Sequence, residues 1–151
     1  MSASAKLTEL GFELPVAVTP LGSYVPAVRS GNLVYTSGQL PVRAGALLQA
    51  GKVGVDVTPE QANELARVCA LNALAAIDAL VGIDSVTKVV KVVGFVASAA
   101  GFNAQPGVIN GASDLLAGVF GDAGVHARSA VGVAELPLDA PVEVELVVEV
   151  G

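Results

Sequence analysis

Nonpolar residues in this chain recur with two different periods, and the switches between them divide it into elements. The clearest strand is Val142 to Val150, where Val142, Val144, Leu146, Val148 and Val150 face one side and Glu143, Glu145 and Glu149 the other. The clearest helix begins at Thr58. Thr58 caps the first turn, Pro59 takes the first helical position and Gln61 completes a Thr-x-x-Gln capping box. Ala62, Leu65, Ala66, Cys69, Ala73, Ala76, Ile77 and Leu80 then follow at helical spacing, and Gly82 supplies the terminating residue. So much alanine on one stripe predicts a close approach to a sheet. A second, weaker helix is expected over Val108 to Phe120, with Gly107, Gly111 and Gly118 blurring its ends.

The remaining segments read as strands and connections. Tyr24 to Val28 and Leu33 to Thr36 flank Arg29-Ser30-Gly31-Asn32, which is hairpin chemistry, and Ser37 to Pro41 then breaks the second strand. Residues 42–57, with Gly45, Gly51 and Gly54, predict a small inserted hairpin or loop. Lys88 to Ala97 is apolar but does not alternate cleanly, since Lys88 and Lys91 have opposite parity, so a strand covered on most of both faces is expected. Arg128 to Ala134 predicts another strand. Leu136 to Pro141, with two prolines, excludes a tight turn, and residues 1–19 are a lead-in without usable periodicity. The order hairpin, helix, strand, helix, strand, strand predicts one α+β domain over 1–151, a mixed sheet with two helices packed on one face. Its other face, rich in valine, needs a cover. Self-association into a closed, barrel-like core is the economical answer, with clefts between subunits as natural ligand sites.

Composition sharpens this picture. Charged residues are only 15% of the 151, below the usual quarter, which favours an oligomer over a lone monomer. The net charge of −6, the absence of Trp and the lack of a basic run argue against nucleic acid as a partner. One cysteine (Cys69) and one histidine (His126) leave no intramolecular disulfide and too few ligands for a zinc site built on Cys and His. The N-terminal residues, with Lys6, Glu9 and Glu13, do not read as a signal peptide. The uncharged run Val92 to Ser113 is broken by glycines and Pro106, so it does not read as a membrane span. A cytoplasmic protein is expected, with no membrane contact.

Few residues are available for chemistry. Arg128 shares its parity with Ala130, Gly132 and Ala134, which leave room for bidentate capture of a carboxylate; a surface ion pair is the competing reading. Glu143 belongs either to a solvated acidic face or, turned into a cleft, to a site where burial tunes a base. Tyr24 and Ser37 lie at strand ends where a hydroxyl can meet a ligand, although half-buried packing and strand termination explain them equally. His126 is expected at the surface, and Cys69 in the core.

These same residues carry a resemblance. Leu21 to Pro26, Tyr35 to Pro41, and Ala127 to Pro137 followed by Val142-Glu143-Val144-Glu145 are similar to the Rid family, also known as the YjgF family and labelled endoribonuclease L-PSP, over most of residues 20–150. The resemblance implies a chorismate-mutase-like fold, a homotrimer with ligand clefts at its three interfaces, and hydrolytic deamination of reactive 2-imino or enamino acids to 2-oxo acids and ammonia. It implies that Arg128 clamps the substrate carboxylate, that Glu143 positions or activates water, that Tyr24 and Ser37 line the cleft, and that no metal or organic cofactor takes part. Ala130 departs from the Cys that many imine deaminases carry there, and 42–57 and 100–113 are longer than in compact members. The alternative is therefore a trimer that binds a small carboxylate, or protects a partner protein, without turnover. The acidic balance and lone histidine argue against the endoribonuclease activity in the label.

Overall fold

A computed structural model describes all residues from Met1 to Gly151. Five strands form one sheet in the order β1-β2-β7-β5-β6: β1 is Ala27–Ser30, β2 Leu33–Thr36, β5 Val86–Ala97, β6 Ala127–Val133 and β7 Val142–Val150. All neighbours are antiparallel except β5 and β6, so the sheet is mixed and β7 is its central strand. Two short strands, β3 (Val42–Arg43) and β4 (Ala46–Leu47), form a separate ribbon. Its turn residues, Ala44 and Gly45, both have positive φ, as a two-residue hairpin connection requires.

Helix α2 (Pro59–Val81) starts where the capping box places it. Thr58 Oγ1 accepts from the Gln61 N–H at 3.1 Å, and Gln61 Oε1 accepts from the Thr58 N–H at 3.0 Å. Helix α3 (Gln105–Phe120) begins three residues earlier than its apolar pattern suggests, with Pro106 in its first turn. Both pack on one face of the sheet around a single core of 30 buried residues, Cys69 among them. Small residues set the spacing. A methyl at Gly111 would collide with the Asn63 carbonyl of α2, and one at Gly94 would meet Ile109 of α3 at about 2.5 Å.

Four expectations change. The lead-in contains a helix, α1 (Ala3–Glu9), which Ser2 caps by accepting from the Ala5 N–H; seven residues hold too few turns for a readable period. Tyr24 does not begin a strand. Pro26 has no N–H to donate, and the ladder starts at Ala27. Arg29 and Ser30 belong to β1, leaving Gly31 and Asn32 alone as the turn, with Gly31 at φ 61°. Finally, β5 is not broadly covered on both faces along its whole length. Register irregularities against β7, one between Val86 and Lys88 and one between Val89 and Lys91, reset its parity. Lys88 and Lys91 therefore both join the outer face, opposite Glu149 and Val147, and from Val92 onward burial alternates.

Candidate active site

The outer end of β7 borders a cavity of about 820 Å³. One wall is the continuous segment Pro15 to Gly22; Tyr24, Gly38, Gln39, Leu40, Asn72, Leu138 and Glu143 are among the others. Alternation on β7 puts Val142 and Val144 into the core and turns Glu143 to the opposite face, where it is half-buried. Its carboxylate lies against Gly38: a methyl there would stand 2.7 Å from Oε2. The Glu143 carboxylate has no hydrogen bond or ion pair within the chain. Burial, and after it the charge of Glu145, pushes its pKa above the usual carboxylate range. A carboxylate raised in this way, without a fixed partner and facing a cavity, is suited to accept a proton.

Tyr24 stands at the mouth, half exposed, and its Oη accepts from the Leu21 N–H at 3.2 Å, tying down the segment that walls the cavity. Ser37 is placed beside the cavity, not in its wall. Its hydroxyl donates to the Val25 carbonyl at 2.6 Å, so it pins the loop that carries Tyr24. Asn72 was not singled out from the sequence, although it is a lone amide among apolar helical positions. It is 1% exposed, and its Nδ2 donates to the carbonyls of Leu40 and Val42, fixing the loop after Gly38.

Arg128 lies elsewhere. Register aligns it with Val92 and Leu146, both buried core positions, so it points to the helix face of the sheet, whereas Glu143 aligns with Phe95 and Val131 on the outer face. One chain does not bring these two groups into one cleft. Arg128 is instead held by α3. Its Nη1 donates to Asn110 Oδ1 at 2.8 Å and to Ser113 Oγ at 3.2 Å, and its Nη2 to the Pro106 carbonyl at 3.3 Å. His126, expected at the surface, is part-buried and bonded to Ser113 Oγ through Nε2 at 2.9 Å and to the Gly124 carbonyl through Nδ1 at 2.6 Å. Asn110 and Ser113 escaped sequence reasoning. Their spacing of three on a mostly apolar helix was the available signal. Cys69 is fully buried, and burial first, with the Glu143 charge second, raises its thiol well above the ordinary value.

No group of three or more His, Cys, Asp or Glu side chains converges as a metal-ligand set, and no helix is long and apolar enough to cross a membrane.

The profile of the family described as Endoribonuclease L-PSP matches residues 15–150, spanning the cavity wall, Glu143 and Arg128. The chain belongs to this family, the Rid or YjgF family. Among its relatives, Protein TCP17 of Trypanosoma cruzi is 44% identical over 148 residues, covering 97% of this chain and 92% of that one. The 2-iminobutanoate/2-iminopropanoate deaminase of Dermatophagoides farinae is 34% identical over 136 residues, 89% of this chain and 91% of its own. The crystal structure of protein Atu1372 from Agrobacterium tumefaciens, a protein described as of unknown function, superimposes with a TM-score of 0.90. It is 45% identical and covers 99% of this chain and 92% of that one. The α+β fold with a mixed sheet also matches the crystal structure of the YjgF gene product of E. coli, with a TM-score of 0.64 at 27% identity over 90% of this chain and 93% of that one.

Proposed function

We propose that this L-PSP family protein hydrolyses reactive 2-imino acids, and their enamine tautomers, to 2-oxo acids and ammonia. Glu143 carries the reading. It is a half-buried, unpartnered carboxylate with a raised pKa in a mostly apolar cavity, beside the Tyr24 loop. The names of several relatives, 2-iminobutanoate/2-iminopropanoate deaminases, support the reaction class. Because Arg128 faces away from Glu143 in one chain, the site is completed by Arg128 of a second copy. Three copies with their outer sheet faces turned inward give three such clefts. That arrangement also covers the outer apolar side chains, Val28, Tyr35 and Val131, which are about half exposed in the single chain.

The chemistry required is modest. Arg128 holds the carboxylate of the protonated imine and fixes C2 near Glu143. Water attacks C2 while Glu143 takes its proton, and the C=N electron pair moves to nitrogen, giving a carbinolamine. The proton passes to nitrogen, the C–N bond breaks, ammonia leaves and the hydroxyl proton is lost as the carbonyl forms. Iminium and water give 2-oxo acid and ammonium, with charge conserved. The cytoplasm is the expected setting, and no cofactor is needed.

The test is to generate 2-aminoacrylate with a serine dehydratase and follow pyruvate with and without the protein. Acceleration that disappears in Arg128→Ala is the expected result. Thermal stabilisation by 2-oxobutanoate without any acceleration would replace the enzyme by a carboxylate-binding trimer. Sedimentation equilibrium at three times the 15.0 kDa chain mass is expected, and a stable monomer would overturn the shared cleft.

A further inference from the structure

The guanidinium of Arg128 is already largely engaged before any ligand arrives. It has five N–H groups. Nη1 donates to Asn110 Oδ1 and Ser113 Oγ, and Nη2 donates once, to the Pro106 carbonyl. What remains is the Nε–H and one N–H of Nη2. With Pro106 taking the Nη2 hydrogen on the Nη1 side, these two flank one edge of the planar group, spaced to meet the two oxygens of a carboxylate.

The partners behind Arg128 are themselves oriented. A carbonyl oxygen only accepts, so the 2.6 Å contact to Gly124 places a hydrogen on Nδ1 of His126, and in that Nδ1–H tautomer Nε2 is an acceptor. Nε2 then accepts the Ser113 hydroxyl proton at 2.9 Å. With its proton turned to His126, the Ser113 oxygen offers a lone pair to Arg128 Nη1. Without an acceptor at position 126, the hydroxyl is free to aim its proton at Nη1, and an attraction becomes a repulsion. Ser113 and His126 have the geometry of a nucleophile and its base. Ser113 nevertheless bonds the arginine, His126 reaches it only through Ser113, and neither lines the large cavity.

We propose that Ser113 and His126 are positioning residues for Arg128, holding it so that only its Nε–Nη2 edge is free and a 2-imino acid is gripped side-on by its carboxylate. The proposal rests on the reading of Arg128 as the carboxylate clamp, and it names the residues and the edge that make the clamp work. It applies equally to a 2-oxo acid product, which carries the same carboxylate.

Steady-state deamination of 2-aminoacrylate and calorimetric binding of 2-oxobutanoate test it with the same variants. Ser113→Ala and His126→Ala are expected to raise KM and the 2-oxobutanoate Kd by roughly tenfold, the scale of one hydrogen bond to a charged group, with kcat within about twofold. Ser113→Thr keeps the hydroxyl and restores most of the affinity. His126→Gln keeps an acceptor for that hydroxyl and restores part of it. The melting temperature of Ser113→Ala should stay close to that of the wild type while KM and Kd rise, because a positioning residue acts on Arg128 and not on the fold. A rise in KM and Kd accompanied by a marked fall in melting temperature, with neither restored by Ser113→Thr, would mean that Ser113 only supports the fold, and the proposal falls. Wild-type KM and Kd in Ser113→Ala, beside an inactive Arg128→Ala, would also overturn it while leaving the clamp itself standing. Arg128→Ala that deaminates and binds at wild-type level would remove the clamp and the proposal together. If no imine is turned over, the calorimetric series decides alone, and failure of the wild type to bind 2-oxobutanoate overturns both.

Discussion

Glu143 and Arg128 sit two strands apart in one sheet, and the chain around them treats them in opposite ways. Arg128 is anchored three times by α3, once through a serine that His126 orients. Glu143 has no anchor, a glycine against its carboxylate and a cavity in front of it. A cation whose task is to grip one fixed anion gains from being held still, since each immobilised bond lowers the entropy still to be lost on binding. A carboxylate whose task is to take and return a proton gains from a raised pKa and freedom from permanent partners, because either partner or charge would lock it in one protonation state. The rigid group binds and the loose one reacts.

This contrast is open to attack from its reactive side. Glu143→Gln keeps the shape and removes the base, and kcat for 2-aminoacrylate hydrolysis should fall by about 10²–10⁴-fold with KM nearly unchanged. A comparable rise in KM instead would make Glu143 a binding group like Arg128. Gly38→Ala places a methyl 2.7 Å from Oε2 and must shift the carboxylate. Turnover should drop by roughly 10–100-fold, the scale of a displacement near 1 Å, while thermal melting moves little. A lower melting temperature with unchanged turnover would show Gly38 to be structural only.

The pH profile gives a finer test. Glu143 works deprotonated, so activity is lost as pH falls through its pKa. With that pKa raised by burial and by Glu145, the acid limb of kcat/KM should lie above the ordinary carboxylate value of about 4.3. Glu145→Gln removes the second cause, and the limb should move to lower pH with the plateau intact. A limb that does not move would assign the raised value to burial alone. The smallest effect is expected from Tyr24→Phe, which takes away the acceptor of the Leu21 N–H. Loss of about 1 kcal/mol of hydrogen bonding in the wall segment should raise KM by only a few-fold, read from the same kinetics.

How far the sequence shows these features depends on how local their causes are. The start of α2 follows from four adjacent residues, and β7 from strict alternation over nine, so both were legible to the residue. The opposed directions of Arg128 and Glu143 were not. They depend on the parallel pairing of β6 with β5 and on the register of β5 with β7, which no single strand records. The parity conflict between Lys88 and Lys91 was visible, but two bulges explain it better than burial on both faces. The cluster behind Arg128 was half legible. His126 lies two residues away in sequence, while Asn110 and Ser113 come from the preceding helix α3 and meet it only through packing.

Cys69 offers a last consequence. The only thiol of the chain is sealed between α2 and the sheet, fully buried and with its ionisation suppressed. In the native fold it is silent toward thiol reagents. Its labelling therefore serves as a clock for opening of the core. The rate at which a disulfide reagent captures Cys69 counts the excursions that part α2 from β7, without any engineered probe.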